Sequence, residues 1–192
     1  LIEAVEQVRP AESSKHPYWA YRQHMHFAQH LHAEAAKFRA GFDDPSGPYI
    51  AMHMRRGDFK NAHAKTQSSQ DDIVARFAAM ADKHDIQQFF VATDADDGEV
   101  QSMKQTLRQQ HGITLYKIAR SDLTLPNDEA KGSLGFMLVE QIVAAQADIF
   151  IGTHGSHFSK EIHLERRLNQ GGKKHLENSW SMVEKGELVP LC

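Results

Sequence analysis

Three short clusters of polar residues, each following an apolar run, carry the chemistry open to this chain. The first is His53, Arg55, Arg56 and Asp58, the second Thr93 and Asp94, and the third Thr153-His154-Gly155-Ser156-His157. Two adjacent arginines in a protein of negative net charge point to an anionic ligand that needs planar, bidentate recognition, and phosphate fits that best. The third cluster is the complement of the first. Gly152 and Gly155 let a backbone approach closely, and Ser156 to Phe158 would open a helix whose N–H groups and dipole attract phosphate. Two plainer readings stand beside these: Arg56 could pair with Asp58 on the surface, and 152–155 could be only a tight strand-to-helix turn. No G-x-G-x-x-G follows the first apolar run and no G-x-x-x-x-G-K-[ST] occurs, which argues against a dinucleotide oxidoreductase or a P-loop nucleotidase.

The elements that must position these clusters are written in the periodicity. From Pro45 onward short apolar runs alternate with longer segments of helical period, the signature of a βαβ protein with a parallel sheet. Strands are predicted over 49–54, 88–93, 113–118 and 148–153. Asp71 or Asp72 is expected to cap a helix with Ile73, Val74, Phe77 and Met80 on one face. A second helix over 98–110 carries Val100, Met103 and Leu107 and stops at His111-Gly112; a largely apolar helix follows over 134–147 and a last one over 156–168. Residues 61–70 and 122–131 read as loops, and 169–192 shows no clear period. Upstream, 25–38 reads as a helix with Phe27, Leu31, Ala35 and Phe38 as its buried stripe. An open parallel sheet binds ligands outside the carboxyl ends of its strands, where all three clusters fall. The expected fold is therefore α/β, a Rossmann-like parallel sheet with flanking helices over 45–192. Residues 1–44 form an N-terminal helical segment, either an added helix of this domain or the linker to, or remnant of, another.

Composition narrows the function classes. The 192 residues hold 22 Lys+Arg against 25 Asp+Glu, a formal charge of −3, with 41% hydrophobic and 24% charged residues. That balance excludes a nucleic-acid binder working by bulk positive charge, and it is the profile of an ordinary globular protein. No stretch approaches the roughly 20 apolar residues that span a bilayer. The chain starts at Leu1 without a signal-peptide pattern, so a fragment or a processed piece is expected. Cys192 alone cannot form an internal disulfide. The 13 histidines are the compositional oddity. Free histidine titrates near about 6.5, so the surface would turn from mildly acidic to strongly basic over about two pH units. His24, His26, His30 and His32 are placed on the solvated face of the first helix. His26 and His30 stand four apart and could share a metal, although no acidic base sits between them as in H-E-x-x-H.

Three motifs in order carry a resemblance: His53-Met54-Arg55-Arg56-Gly57-Asp58-Phe59, then Phe90-Val91-Ala92-Thr93-Asp94, then Phe150-Ile151-Gly152-Thr153 with Ser156, Phe158-Ser159, Ile162-His163, Glu165 and Arg166. Over 48–167 the chain resembles the GDP-fucose protein O-fucosyltransferases, most of all the branch that modifies thrombospondin type 1 repeats. The resemblance implies the C-terminal, nucleotide-sugar-binding half of a two-domain GT-B glycosyltransferase. The whole enzyme would move fucose from GDP-fucose to a Ser or Thr of a folded protein repeat, with inversion.

The resemblance also implies roles. Arg55 would be the catalytic residue, contacting the β-phosphate and stabilising the charge that builds on the GDP leaving group. His53 and Asp58 would shape the same pocket, Asp94 would line it, and Ser156, His157 and Phe158 would cradle the diphosphate. Glu140 would accept N–H donors from guanine. Donor and acceptor repeat are the implied partners, with no nucleic acid, no membrane span, no cofactor and no essential metal. The implied compartment is the endoplasmic reticulum lumen or the secretory pathway. His157 stands where threonine or serine is commoner, and the family's bracing cysteine pairs are absent. Two alternatives stand beside this reading: another GDP-sugar-dependent GT-B enzyme acting on glycans, and a non-catalytic fragment that binds GDP-sugar.

Overall fold

The computed structural model describes residue 22 and residues 24–57, 68–125, 133–169, 179–182 and 188–190. The helices are α1 (Gln29–Arg39), α2 (Gln70–His84), α3 (Asp97–His111), α4 (Ser133–Ala145) and α5 (His157–Asn169). The strands are β1 (Ile50–Met54), β2 (Gln88–Thr93), β3 (Thr114–Tyr116), β4 (Ile149–Thr153), β5 (Ser179–Met182) and β6 (Leu188–Pro190). Among the described residues they form one sheet in the order β3-β2-β1-β4-β5-β6, parallel except for β6. Among these residues no helix is long and apolar enough to cross a membrane.

Strand side chains alternate between two cores. Ile50, Met52 and Met54 of β1 face α2 and α3, where Phe77, Met103 and Leu107 are buried. Ala51, Phe90 and Phe150 face the other way, into a core built with Leu31 and Ala35 of α1, Val139 and Val143 of α4, and Ile162 of α5. A sheet covered on both faces needs strands that are apolar throughout, which is why these runs show no polar face. The same period of two puts His53 on the side of Ala51, beneath α5.

The helix ends follow local chemistry. Ser69 begins α2: its hydroxyl accepts the Asp72 N–H, and the Asp72 carboxylate takes the Ser69 N–H. The cap is thus Ser69, not Asp71 or Asp72, which instead place negative charge in the first turn against the helix dipole. Asp96 caps α3, and Gly112, at φ 68°, ends it in the left-handed conformation that glycine adopts without strain.

Two expectations change at the ends of the chain. The first helix starts at Gln29; Met25 to Ala28 lie outside it, so His26 and His30 are not one turn apart on a common helix. Leu31 and Ala35 are buried, and α1 packs against α4. At the other end, residues without clear period supply β5 beside β4 and β6 beside β5. Segments of four and three residues are too short for a pattern; pairing to an existing edge makes them strands, and Pro190 is tolerated in the outermost one. Arg166 seals this end. Its guanidinium, 1% exposed, donates to the carbonyls of Ala145, Ala147 and Asp148 and to Ser179 Oγ, tying α4, β4 and β5 together.

Candidate functional site

The strand order switches between β1 and β4, successive strands being added on one side of β1 and then on the other, and there the carboxyl ends open a crevice. The β1–β4 ladder runs only to Met52 opposite Ile151. Beyond it, side chains take over the work of the ladder. Thr153 Oγ1 donates to the His53 carbonyl at 2.8 Å and accepts the Arg55 N–H at 3.0 Å. On the other flank Thr93 Oγ1 donates to the Met54 carbonyl at 2.6 Å and accepts the Ala95 N–H at 3.0 Å. Asp94 completes the clamp: its carboxylate accepts the Arg56 N–H and lies 3.2 Å from the Arg55 guanidinium. Gly57 is required for that approach, since a Cβ there would stand 2.6 Å from Asp94 Oδ2.

The two arginines part company at this point. The Arg55 side chain keeps 38% of its surface accessible and lines a cleft of about 650 Å³. Arg56 turns inward to the Ser68 carbonyl and the Glu99 carboxylate. Asp58 lies outside the described residues. The turn after β4 uses Gly155 at φ 75°, and Ser156 then caps α5: its hydroxyl accepts the Ser159 N–H and its carbonyl accepts the Lys160 N–H.

Of the other site residues expected from sequence, His53, Asp94, Glu140 and Phe158 line the cleft with Arg55. Ser156 is buried beside the helix start and His157 is exposed on its first turn; neither lines the cleft. His53 Nδ1 lies 2.7 Å from Ser159 Oγ, and Phe158 packs edge-on against the ring at 4.9 Å. Burial pushes the His53 pKa down to about 4; Asp94 opposes that shift and Arg55 adds to it, so the ring is neutral near pH 7. Glu140 is 5% exposed, and among the described residues its Oε1 has no hydrogen-bond partner. Burial raises its pKa to about 8, against the pull of Lys117, so the carboxyl is mostly protonated at neutral pH.

The cleft also draws on Lys104, Lys117, Arg120 and Phe136, none of which stood out in the sequence. Lys117 and Arg120 follow the carboxyl end of β3, and the rule that singled out the other strand ends would have found them. Extending that strand to 118 hid Lys117 inside it. Arg120 sits over the Phe136 ring at 5.4 Å, giving the wall a cationic, planar face. Lys104 and Phe136 come from helices, with no local signal. Among the described residues, no three His, Cys, Asp or Glu side chains are grouped to hold a metal ion. Such a cleft can neutralise an anion at Arg55 and, at its floor, accept N–H donors on Glu140.

The fold is of the Rossmann type, a parallel α/β sheet with helices on both faces and a cleft at the strand ends. The fold matches a crystal structure of POFUT1 in complex with GDP-fucose at a TM-score of 0.66 over 88% of this chain and 50% of that one, at 16% identity. A second POFUT1 structure, in complex with GDP, matches at 0.63 over 88% of this chain and 52% of that one, also at 16% identity. The family GDP-fucose protein O-fucosyltransferase matches residues 4–169, and the chain belongs to it. GDP-fucose protein O-fucosyltransferase 2 of Homo sapiens is 29% identical over an alignment of 175 positions that covers 79% of this chain and 39% of that protein. The protein of the same name from Drosophila melanogaster is 27% identical over an alignment of 177 positions that covers 79% of this chain and 34% of that one. The chain thus spans less than half the length of these relatives.

Proposed function

We propose that this chain is the donor-binding half of a peptide O-fucosyltransferase, moving fucose from GDP-fucose to a Ser or Thr hydroxyl of a folded protein repeat with inversion. The observation that carries the proposal is Arg55, held by Asp94 at the β1/β4 crevice with its guanidinium accessible to the cleft. As the fucosyl bond breaks, negative charge builds on the β-phosphate. A guanidinium already fixed in place stabilises that charge without reorganising. Glu140 takes the base: once ionised, its oxygens accept the N1–H and 2-amino N–H of guanine, and the Oε1 that has no partner among the described residues gains one. The type 2 relatives and the motif order support a protein acceptor over a glycan. The proposed acceptor is a thrombospondin-type repeat, the proposed compartment the endoplasmic reticulum lumen or secretory pathway, and the proposal assigns no metal.

Calorimetric titration of the chain with GDP, GDP-fucose and UDP tests the donor assignment. GDP and GDP-fucose are expected to bind and UDP to bind far more weakly. Indifference to GDP, or equal affinity for UDP, removes the proposal.

A further inference from the structure

The Ser159 hydroxyl, in the first turn of α5, is fully buried at 0% exposure. Among the described residues it has two hydrogen-bond partners. The Thr153 N–H donates to it at 2.9 Å, and His53 Nδ1 lies 2.7 Å away. A backbone N–H can only donate, so the first bond uses an oxygen lone pair and leaves the hydroxyl's own proton to be placed. Nδ1 is the acceptor within reach. The hydroxyl therefore donates to Nδ1, and a singly protonated ring then carries its proton on Nε2. Because His53 lines the cleft with Nδ1 engaged toward α5, Nε2 is the nitrogen that a ligand meets. Phe158, edge-on against the ring, restrains its plane. Burial keeps the ring from taking a second proton near neutrality, so the two nitrogens remain distinct.

We infer that Ser159 is a positioning residue of the cleft: through Nδ1 it holds His53 as an Nε2–H donor beside Arg55, so that an anionic oxygen meets an N–H rather than a lone pair. For the identity of that anion the inference rests on the nucleotide reading above. It carries a chemical corollary. A ring protonated at Nε2 cannot take a proton there, so His53 donates to the leaving diphosphate and is not the base that deprotonates the acceptor hydroxyl. Thr153 belongs to the same device, because its N–H occupies Ser159 while its hydroxyl fixes the Arg55 backbone.

Long-range proton–nitrogen NMR of histidine-labelled chain reads the tautomer directly. His53 should show a protonated Nε2 and a bare Nδ1, unchanged between pH 8 and pH 6. Ser159→Ala should lose the single-tautomer signature and bind GDP about tenfold more weakly, the scale of one hydrogen bond to a charged group. Ser159→Thr, which keeps the hydroxyl, should restore both. Protonation at Nδ1 in the unaltered chain overturns the inference whether or not either variant folds, and so does a Ser159→Ala chain with the unaltered spectrum. GDP binding alongside an Nδ1–H ring defeats this inference alone. The expected tautomer without GDP binding upholds the hold of Ser159 on His53 and defeats the nucleotide reading instead.

Discussion

Arg56 and Glu99 meet at 2.7 Å with both side chains withdrawn from solvent, so the second arginine of the Arg55-Arg56 pair braces β1 against α3 instead of facing the cleft. Its Nε makes a charge contact with Glu99 rather than an aligned hydrogen bond, while Nη1 donates to the Ser68 carbonyl at 2.7 Å. Neighbouring residues of one charge therefore do opposite work. Arg56→Ala should cost about 3 kcal/mol, because it leaves Glu99 partly buried without its counter-charge. Arg55→Ala should change stability by less than about 1 kcal/mol, since its ion pair is partly solvated, yet remove most GDP affinity. Urea unfolding and calorimetry on both variants check the split; equal losses of stability would remove it.

Gly57→Ala tests the clamp without touching a charged group. The added methyl would press on Asp94 Oδ2, the carboxylate that holds Arg55 and the Arg56 N–H. The expected result is a several-fold loss of GDP affinity with the melting temperature within about 4 °C of the unaltered chain, the shift of about 1 kcal/mol. Unchanged affinity would mean that Asp94 does not set the position of Arg55.

In its proposed role, Glu140 should make GDP binding depend on pH. With its folded pKa at about 8, guanine's donors must displace a proton, so GDP affinity should rise from pH 6 to pH 8 with proton release, which calorimetry in buffers of different ionisation enthalpy detects. Glu140→Gln should flatten that rise and weaken GDP about tenfold.

Stability without ligand carries the opposite sign for this group. Its pKa is raised from 4.5 to about 8, so its contribution is full below pH 4.5 and lost as pH rises through 8. Burial pushes His53 and His163 from 6.5 down to about 4, so their contribution is full above pH 6.5 and lost as pH falls through 4. Between 4.5 and 6.5 two histidines outweigh one carboxyl. Stability from these groups should peak near pH 6.5, and denaturant midpoints measured from pH 4 to pH 8.5 show whether it does.

Arg166 is the residue whose loss should be felt most in the fold. Arg166→Met fills similar volume but leaves three carbonyls and the Ser179 hydroxyl without their donor. A loss of about 3 kcal/mol or more is expected from unfolding curves. A loss below about 1 kcal/mol would show that water replaces those bonds.

Much of this molecule follows from the chain alone because its information is local. The apolar runs before His53, Asp94 and Thr153 could only be buried strands, and their interleaving with helical stretches required a parallel sheet with its chemistry at the strand ends. The same reasoning placed Arg55, His53, Asp94 and, through the family motif, Glu140 around one cleft. What the tertiary structure decided was pairing. Ser-Trp-Ser-Met and Leu-Val-Pro became strands because β4 offered an edge, not because of their own pattern. Arg55 and Arg56 are alike in sequence, and only the placement of Glu99 and Ser68 sends one inward and leaves the other on the cleft. Lys104 and Phe136 reach that cleft from helices. Ser159 reaches His53 across 106 positions of sequence, a distance that no local pattern spans but that one helix laid over β1 closes to 2.7 Å.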